Sequence, residues 1–319
     1  MGLDSDEMVK RAFLFAGQGS QFVGMGKDLY ENFQICRQIY DNADKHLGFP
    51  ITKVSFEGPE EELTRTEISQ PAIFVMSAAI TGLIKSECPD LIPSVVAGLS
   101  LGEYNALFAA GVISFEDGLK LVKRRGTLME ESGINHPGTM ASIIGLAQNI
   151  LETICTESGC QVANFNSPDQ IVISGPVHAV EKACVTAKEK GAKRAIPLKV
   201  SGAFHSRLME EASLGLAKEL ARFTFKKPDI PFIANVTANA ESNPDQIKGL
   251  LSEQVIKPVR WVESIRRIAQ MGVLEAFEIG PGTVLKGLTR KINPEISVIN
   301  LGSSIEIRNL LNSIISNKE

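Results

Sequence analysis

The sequence predicts an α/β protein with a largely parallel sheet, interrupted by a smaller unit of different rhythm. Three observations carry this. Apolar strand candidates alternate with helical stretches along most of the 319 residues. Residues 139–200 change to the order β-α-β-β-α-β. A Gly-x-Ser-x-Gly run at 98–102 stands between a strand-like and a helix-like stretch.

In chain order, Arg11–Ala16 reads as a buried strand closed by the turn Gly17-Gln18-Gly19-Ser20-Gln21. A helix follows, with Phe33, Cys36, Ile39 and Tyr40 near helical spacing. A long apolar helix is expected from about Pro71, a good first-turn residue, through Ile84. Pro93–Ala97 is the strand before the Gly-x-Ser-x-Gly turn, and a helix begins at Glu103. Ser114 is placed to cap another helix, with Asp117 three residues on. Strands at 139–146, 161–165, 170–174 and 193–200 then frame helices at 148–157 and 177–190, a ferredoxin-like split βαβ pattern. The α/β pattern resumes with strands at 230–234, 273–279 and 296–301. The expected division is a ferredoxin-like subdomain at 134–200, inserted into a discontinuous main domain of 1–133 and 201–319. Such an insertion creates a cleft, where ligands commonly bind.

Composition excludes several functions. A net charge of −4, without basic blocks carrying interleaved aromatics, gives nucleic acid no footprint. Cys36, Cys88, Cys155, Cys160 and Cys184 are scattered, odd in number and lack a C-x-x-C pair, which points to a reducing cytoplasm rather than a disulfide framework or a metal site. No targeting peptide is expected in the short stretch before the first strand, and Asp6 stands where a Met1-Gly2 myristoylation signal needs Ser or Thr. No apolar run is expected to reach membrane-spanning length.

The turn at 98–102 has the form of a nucleophile elbow, which would present the Ser100 hydroxyl at the positive end of the following helix. The plainer alternative is an ordinary Gly/Ser turn. A serine nucleophile needs a base. His46, His136 and His178 stand in surface contexts. His205 follows a strand where the inserted unit returns to the main domain, so it is either the base or a structural histidine at a helix start. Arg125 lies within the apolar arc formed by Phe115, Leu119, Leu121, Val122, Leu128 and Met129. An inward guanidinium needs a partner, which is either a protein carboxylate or that of a substrate. Phe22 breaks a G-x-G-x-x-G fingerprint at Gly17, although the loop can offer a backbone N–H to an oxyanion. Gly280-Pro281-Gly282 reads as a turn.

Taken in order, these motifs resemble the malonyl-CoA:acyl carrier protein transacylases of bacterial-type fatty acid synthesis, essentially end to end. The matching runs include Phe15–Gln21, Thr64–Glu67, Gln70–Ala72, Gly98–Tyr104, Lys123–Gly126, Gly138–Ala141, Ala163–Pro168, Gly202–Ser206 and Glu278–Gly282. The resemblance implies an α/β-hydrolase-like core and a Ser100–His205 dyad without a triad carboxylate. It implies that a main-chain carbonyl near Gln254 orients the histidine and that the N–H groups of Gln18 and Leu101 form the oxyanion hole. Arg125 would hold the malonyl carboxylate and Asn166 would line the pocket. Malonyl-CoA and acyl carrier protein are the implied partners, with no cofactor or metal, for a cytoplasmic monomer. One departure stands out: the family usually has histidine before the nucleophile, where this chain has Leu99. Phe204 resembles the malonyl-type members rather than the methylmalonyl-type ones. The rival readings are an acyltransferase for another extender, a serine hydrolase or thioesterase, and a non-catalytic docking subunit.

Overall fold

The computed structural model describes residues 9–316. The Met1-Gly2 and Asp6 positions of the myristoylation reading lie outside them. Two sheets organise the chain. The larger has the order β10-β9-β1-β2-β7-β8, formed by Arg11–Phe15 (β1), Val95–Gly98 (β2), Phe232–Ile233 (β7), Ala240–Glu241 (β8), Glu275–Ile279 (β9) and Ser297–Leu301 (β10). All neighbours pair in parallel except the two-residue β8, which runs antiparallel to β7 and is too short to leave a sequence pattern. The central strands are apolar on both faces because both are covered. Phe13, Phe15, Val96 and Phe277 enter one core, while Ala12, Leu14, Val95 and Ala97 enter the other.

The second sheet is built from Thr139–Ile144 (β3), Gln161–Ser167 (β4), Gln170–Gly175 (β5) and Arg194–Pro197 (β6), in the order β4-β5-β3-β6, all antiparallel. Helices Gln148–Ser158 and Val177–Glu189 pack on it. The molecule is thus an α/β-hydrolase-like core carrying a ferredoxin-like unit. The chain enters and leaves that unit through a narrow neck, where Gly133 and Gly202 pack so closely that a Cβ on either would press on the main chain of the other segment. A second seam ties β4 to the core: Phe165 N–H donates to Val259 O at 2.9 Å, and Val259 N–H to Ala163 O at 2.8 Å.

The long apolar helix spans Thr66–Glu87, so Pro71 lies inside it and not in its first turn. The expected start at Pro71 is therefore corrected. The real N-terminus has no local side-chain cap; Glu130, from helix Phe115–Asn135, supplies one by accepting from Glu67 N–H at 3.1 Å. This helix is also long and apolar enough to cross a membrane, contrary to the reading that no run reaches that length, but 89% of its apolar window is buried within the protein. Helix Phe115–Asn135 is capped as expected, Ser114 Oγ accepting from Asp117 N–H at 3.1 Å. The Gly280-Pro281-Gly282 turn leads into helix Val284–Ile292, whose first N–H groups meet the buried Glu278 carboxylate through Leu285 and Lys286.

Helix Pro244–Gln254 begins at Asn243, whose Oδ1 accepts from the N–H groups of Asp245 at 2.9 Å and Gln246 at 3.1 Å. Asn243→Ala is expected to cost about 1 kcal/mol of stability, read from chemical denaturation. A loss below a few tenths would show that the cap contributes nothing.

Candidate active site

The site grows out of the β2 elbow. A Cβ at Gly98 would overlap the Gly102 carbonyl, and one at Gly102 would overlap Phe15 O, so the turn closes only with glycine at both places. Ser100 between them is held left-handed, at φ 53°. That conformation costs a non-glycine residue energy and persists because its surroundings over-determine it. Here they do so through Asn235, just beyond β7. Its Oδ1 accepts Ser100 N–H at 2.7 Å, and its Nδ2 donates to Gly98 O at 2.7 Å.

His205 stands opposite, also left-handed at φ 58°, in the turn where the chain returns from the second sheet. Its Nε2 lies 2.9 Å from Ser100 Oγ and its Nδ1 lies 2.7 Å from Gln254 O. The main-chain acceptor sets the tautomer: Nδ1 carries hydrogen and Nε2 is free to accept from the serine. Burial, then the nearby Arg125 charge, pushes the imidazole down to about 4, against the upward pull of the Gln254 carbonyl. His46 and His178 are exposed, and His136 pairs at 3.2 Å with Glu211 on the surface.

Arg125 is 1% exposed and lies beneath Ser100. Its Nη1 donates to Gln70 Oε1 at 2.8 Å, and its Nη2 to Ser100 Oγ at 3.1 Å and Gln254 Oε1 at 3.0 Å. Its Nε has no partner among the described residues, and its Cζ sits 5.8 Å from the Tyr104 ring centre. These oxygens are all neutral; no protein carboxylate forms an ion pair with it among the described residues, so the protein-carboxylate alternative is not what the fold provides. Burial lowers its basicity, while Tyr104 and Glu103 raise it.

Glu103 completes the interior. It is 2% exposed, with Oε1 accepting Asn235 N–H at 2.5 Å and Oε2 accepting from Gln254 Nε2. Burial pushes its carboxyl up to about 8, opposed by the Asn235 N–H, the Arg125 charge and the Gln254 amide. Glu103, Asn235, Gln70 and the Gln254 side chain were not singled out as site residues from the sequence. Two signals were present: Glu103 is the one charge in the apolar helix Gly102–Ala109, and Asn235 is a polar residue just past a buried strand.

The two shifts have opposite effects on stability. A raised Glu103 contributes stability fully present below its ordinary 4.5 and lost as pH rises through about 8. A depressed His205 contributes stability present above its ordinary 6.5 and lost as pH falls through about 4. Their effects cancel between the two ordinary values; above 6.5 the carboxyl dominates. From pH 6.5 to 8 the wild type is expected to lose stability faster than Glu103→Gln, by up to ~1.4 kcal/mol per pH unit. Parallel pH profiles from denaturant titrations would refute this.

A cleft of about 970 Å³ opens above the serine, between the elbow and the second sheet. Gln18, Leu99, Ser100, Phe204, His205 and Asn166 all line it. Asn166 Oδ1 has no partner among the described residues. The N–H groups of Gln18 and Leu101, on the loop after β1 and in the elbow, donate to no protein acceptor among the described residues. Arg125 and Leu101 lie in the floor behind the serine and do not form the cleft wall. Among the described residues no group of three or more His, Cys, Asp or Glu side chains could hold a metal ion.

A left-handed serine in a strand-to-helix elbow, facing a histidine over a parallel sheet, is the arrangement that acyl transfer through a serine requires. The comparisons narrow this. The acyl transferase domain family model matches residues 12–298. The malonyl CoA-acyl carrier protein transacylase of Bacillus subtilis (strain 168) is 46% identical over 297 residues, covering 92% of this chain and 93% of the relative. An acyl carrier protein S-malonyltransferase crystal structure from Vibrio cholerae superposes with a TM-score of 0.91 at 40% identity, covering 94% of this chain and 99% of that one. A malonyl-transacylase solved in complex with a type II PKS acyl-carrier protein superposes with a TM-score of 0.92 at 39% identity, covering 95% and 99%. The chain belongs to the malonyl CoA-acyl carrier protein transacylase family of acyltransferases.

Proposed function

We propose that this acyltransferase moves a malonyl group from malonyl-CoA to the phosphopantetheine thiol of acyl carrier protein, through a malonyl ester on Ser100. The observation that carries the reading is the meeting of two groups at one oxygen: His205 Nε2 at 2.9 Å and Arg125 Nη2 at 3.1 Å from Ser100 Oγ. As the serine oxygen attacks the thioester carbon, its proton passes to His205 Nε2. The resulting oxyanion sits against the N–H groups of Gln18 and Leu101. When the tetrahedral species collapses, the C–S bond breaks and coenzyme A leaves as a thiolate, taking the proton from His205. The carrier thiol then attacks the ester by the same sequence, with His205 first as base and then as acid to Ser100. This is a ping-pong cycle. Arg125 releases Ser100 Oγ for the malonyl carboxylate while Gln70 and Gln254 keep hold of the guanidinium, giving a charge-assisted pair that an acetyl group cannot form. Asn166 offers its open carbonyl to the substrate from the cleft wall.

In this reading residues 134–200 are a subdomain that roofs the cleft, and 1–133 with 201–319 form the catalytic domain. The protein acts as a cytoplasmic monomer, and coenzyme A arrives as substrate, with no resident cofactor.

The test is intact mass after incubation with malonyl-CoA and, separately, acetyl-CoA. A malonyl adduct absent in Ser100→Ala and discharged by carrier protein is expected. Discharge to water as fast as to carrier would make the protein a hydrolase, and preferential labelling by methylmalonyl-CoA would change the extender. The depressed His205 also predicts a pH profile. Because the neutral imidazole is the base, acylation (kcat/KM) should rise with pH through about 4 and stay level from about 5.5 to 7.5. An acid limb centred near 6.5 would remove His205 from the role of base.

A further inference from the structure

Gln254 is the residue on which the three parts of the site converge. Its main-chain oxygen holds His205, while its side chain divides between the elbow and Arg125. The carboxamide is fully buried, and its two ends face opposite kinds of partner. Nε2 is within reach of three oxygens: Ser100 O at 3.0 Å, Asn235 Oδ1 at 3.3 Å and the Glu103 carboxyl. Oε1 accepts from Arg125 Nη2 at 3.0 Å. Turned by half a rotation, the amide would set oxygen against oxygen and N–H against guanidinium.

We propose that Glu103 is a positioning residue for acyl transfer: it locks the Gln254 carboxamide in the orientation that keeps Oε1 on Arg125 Nη2, and so holds the guanidinium ready for the substrate carboxylate. This rests on the reading of Arg125 as the malonyl clamp. Burying a carboxyl in a helix that carries no other charge is costly, so a residue that merely filled space there would be apolar. Glu103 uses both oxygens, one on the Asn235 N–H and one on the Gln254 amide. Either oxygen accepts whether or not the carboxyl is protonated. An amide of the same shape cannot do this, because its NH₂ must face one of two donors. Glu103→Gln therefore preserves volume while forcing a donor against Gln254 or against Asn235.

The experiment compares Ser100 acylation by malonyl-CoA and by acetyl-CoA in wild type, Glu103→Gln and Glu278→Gln. Glu278 is a second buried carboxyl that accepts main-chain N–H groups, and it shares no hydrogen-bond partner with Ser100 among the described residues. In Glu103→Gln the malonyl-over-acetyl preference should fall about tenfold, through KM more than kcat, as expected when a hydrogen bond to a charged group is mis-aimed. Acetylation should stay within about threefold of wild type. Glu278→Gln should lower Tm with its preference intact. Equal loss with both thioesters, or an unchanged preference, overturns the proposal. Where Glu103→Gln does not fold, Glu103→Asp is read instead. It keeps two acceptor oxygens but withdraws them by one methylene, and at least a threefold loss of preference is expected, an unchanged ratio again overturning the proposal. Absence of a malonyl adduct in wild type is a different result, and would refute the function itself.

Discussion

Arg125→Ala is expected to abolish the distinction between malonyl-CoA and acetyl-CoA while leaving Ser100 able to be acylated. In the wild type the guanidinium is 1% exposed and touches only neutral oxygens, so an incoming carboxylate gains a partner that no protein acid already occupies. Acetyl, which lacks that charge, leaves the cation as it was. Losing a buried charge-assisted pair should reduce malonylation about 100-fold or more, with acetylation changed much less. The two rate constants, measured by quenched flow and intact mass, give the ratio directly. A variant that keeps its malonyl preference would show that some other group binds the carboxylate.

The second large effect concerns His205. Asparagine is the informative replacement because it tolerates the left-handed backbone that this position adopts at φ 58°. The turn should survive, while the proton acceptor 2.9 Å from Ser100 Oγ is lost. Single-turnover malonylation should slow by roughly 10³-fold to 10⁴-fold, with Tm shifted by only a few degrees. A rate within tenfold of wild type would require another base.

How far the sequence reveals this molecule depends on the range of the interactions involved. Strands β1 and β2 are legible because each is a mostly buried apolar run bounded by polar residues or turns, and β9 and β10 because apolar residues recur within short stretches between turns. The βαββαβ order of the second sheet is legible because its turns carry local glycine and proline signals. The start of helix Thr66–Glu87 is not, since its cap is Glu130, 63 residues away in the chain. Ser100, His205 and Arg125 can be nominated locally, from an elbow, a strand end and a helical wheel. The polar lattice beneath them cannot, because Ser100 meets Asn235 across 135 residues and Gln254 meets Glu103 across 151. Gln254 was expected only for a main-chain carbonyl; that its side chain also joins Arg125 to the elbow depends on side-chain orientation, which no spacing rule encodes.

The narrow neck at Gly133 and Gly202 bears on how chains of this kind can be recombined. The segment between those glycines is held to the rest of the protein by close main-chain packing at the neck, by main-chain hydrogen bonds at Val259, by an ion pair between Asp169 and Lys291, and by side chains such as Met140, Ala163 and Val172 that enter the main core. The first needs only two small residues and the second is indifferent to side chains. Exchanging the roof of the cleft, with Asn166, among relatives therefore requires its apolar contacts with the core and that ion pair to be matched. Ser100, Arg125 and His205 all stay behind in the recipient, so the cleft wall can diversify without displacing them.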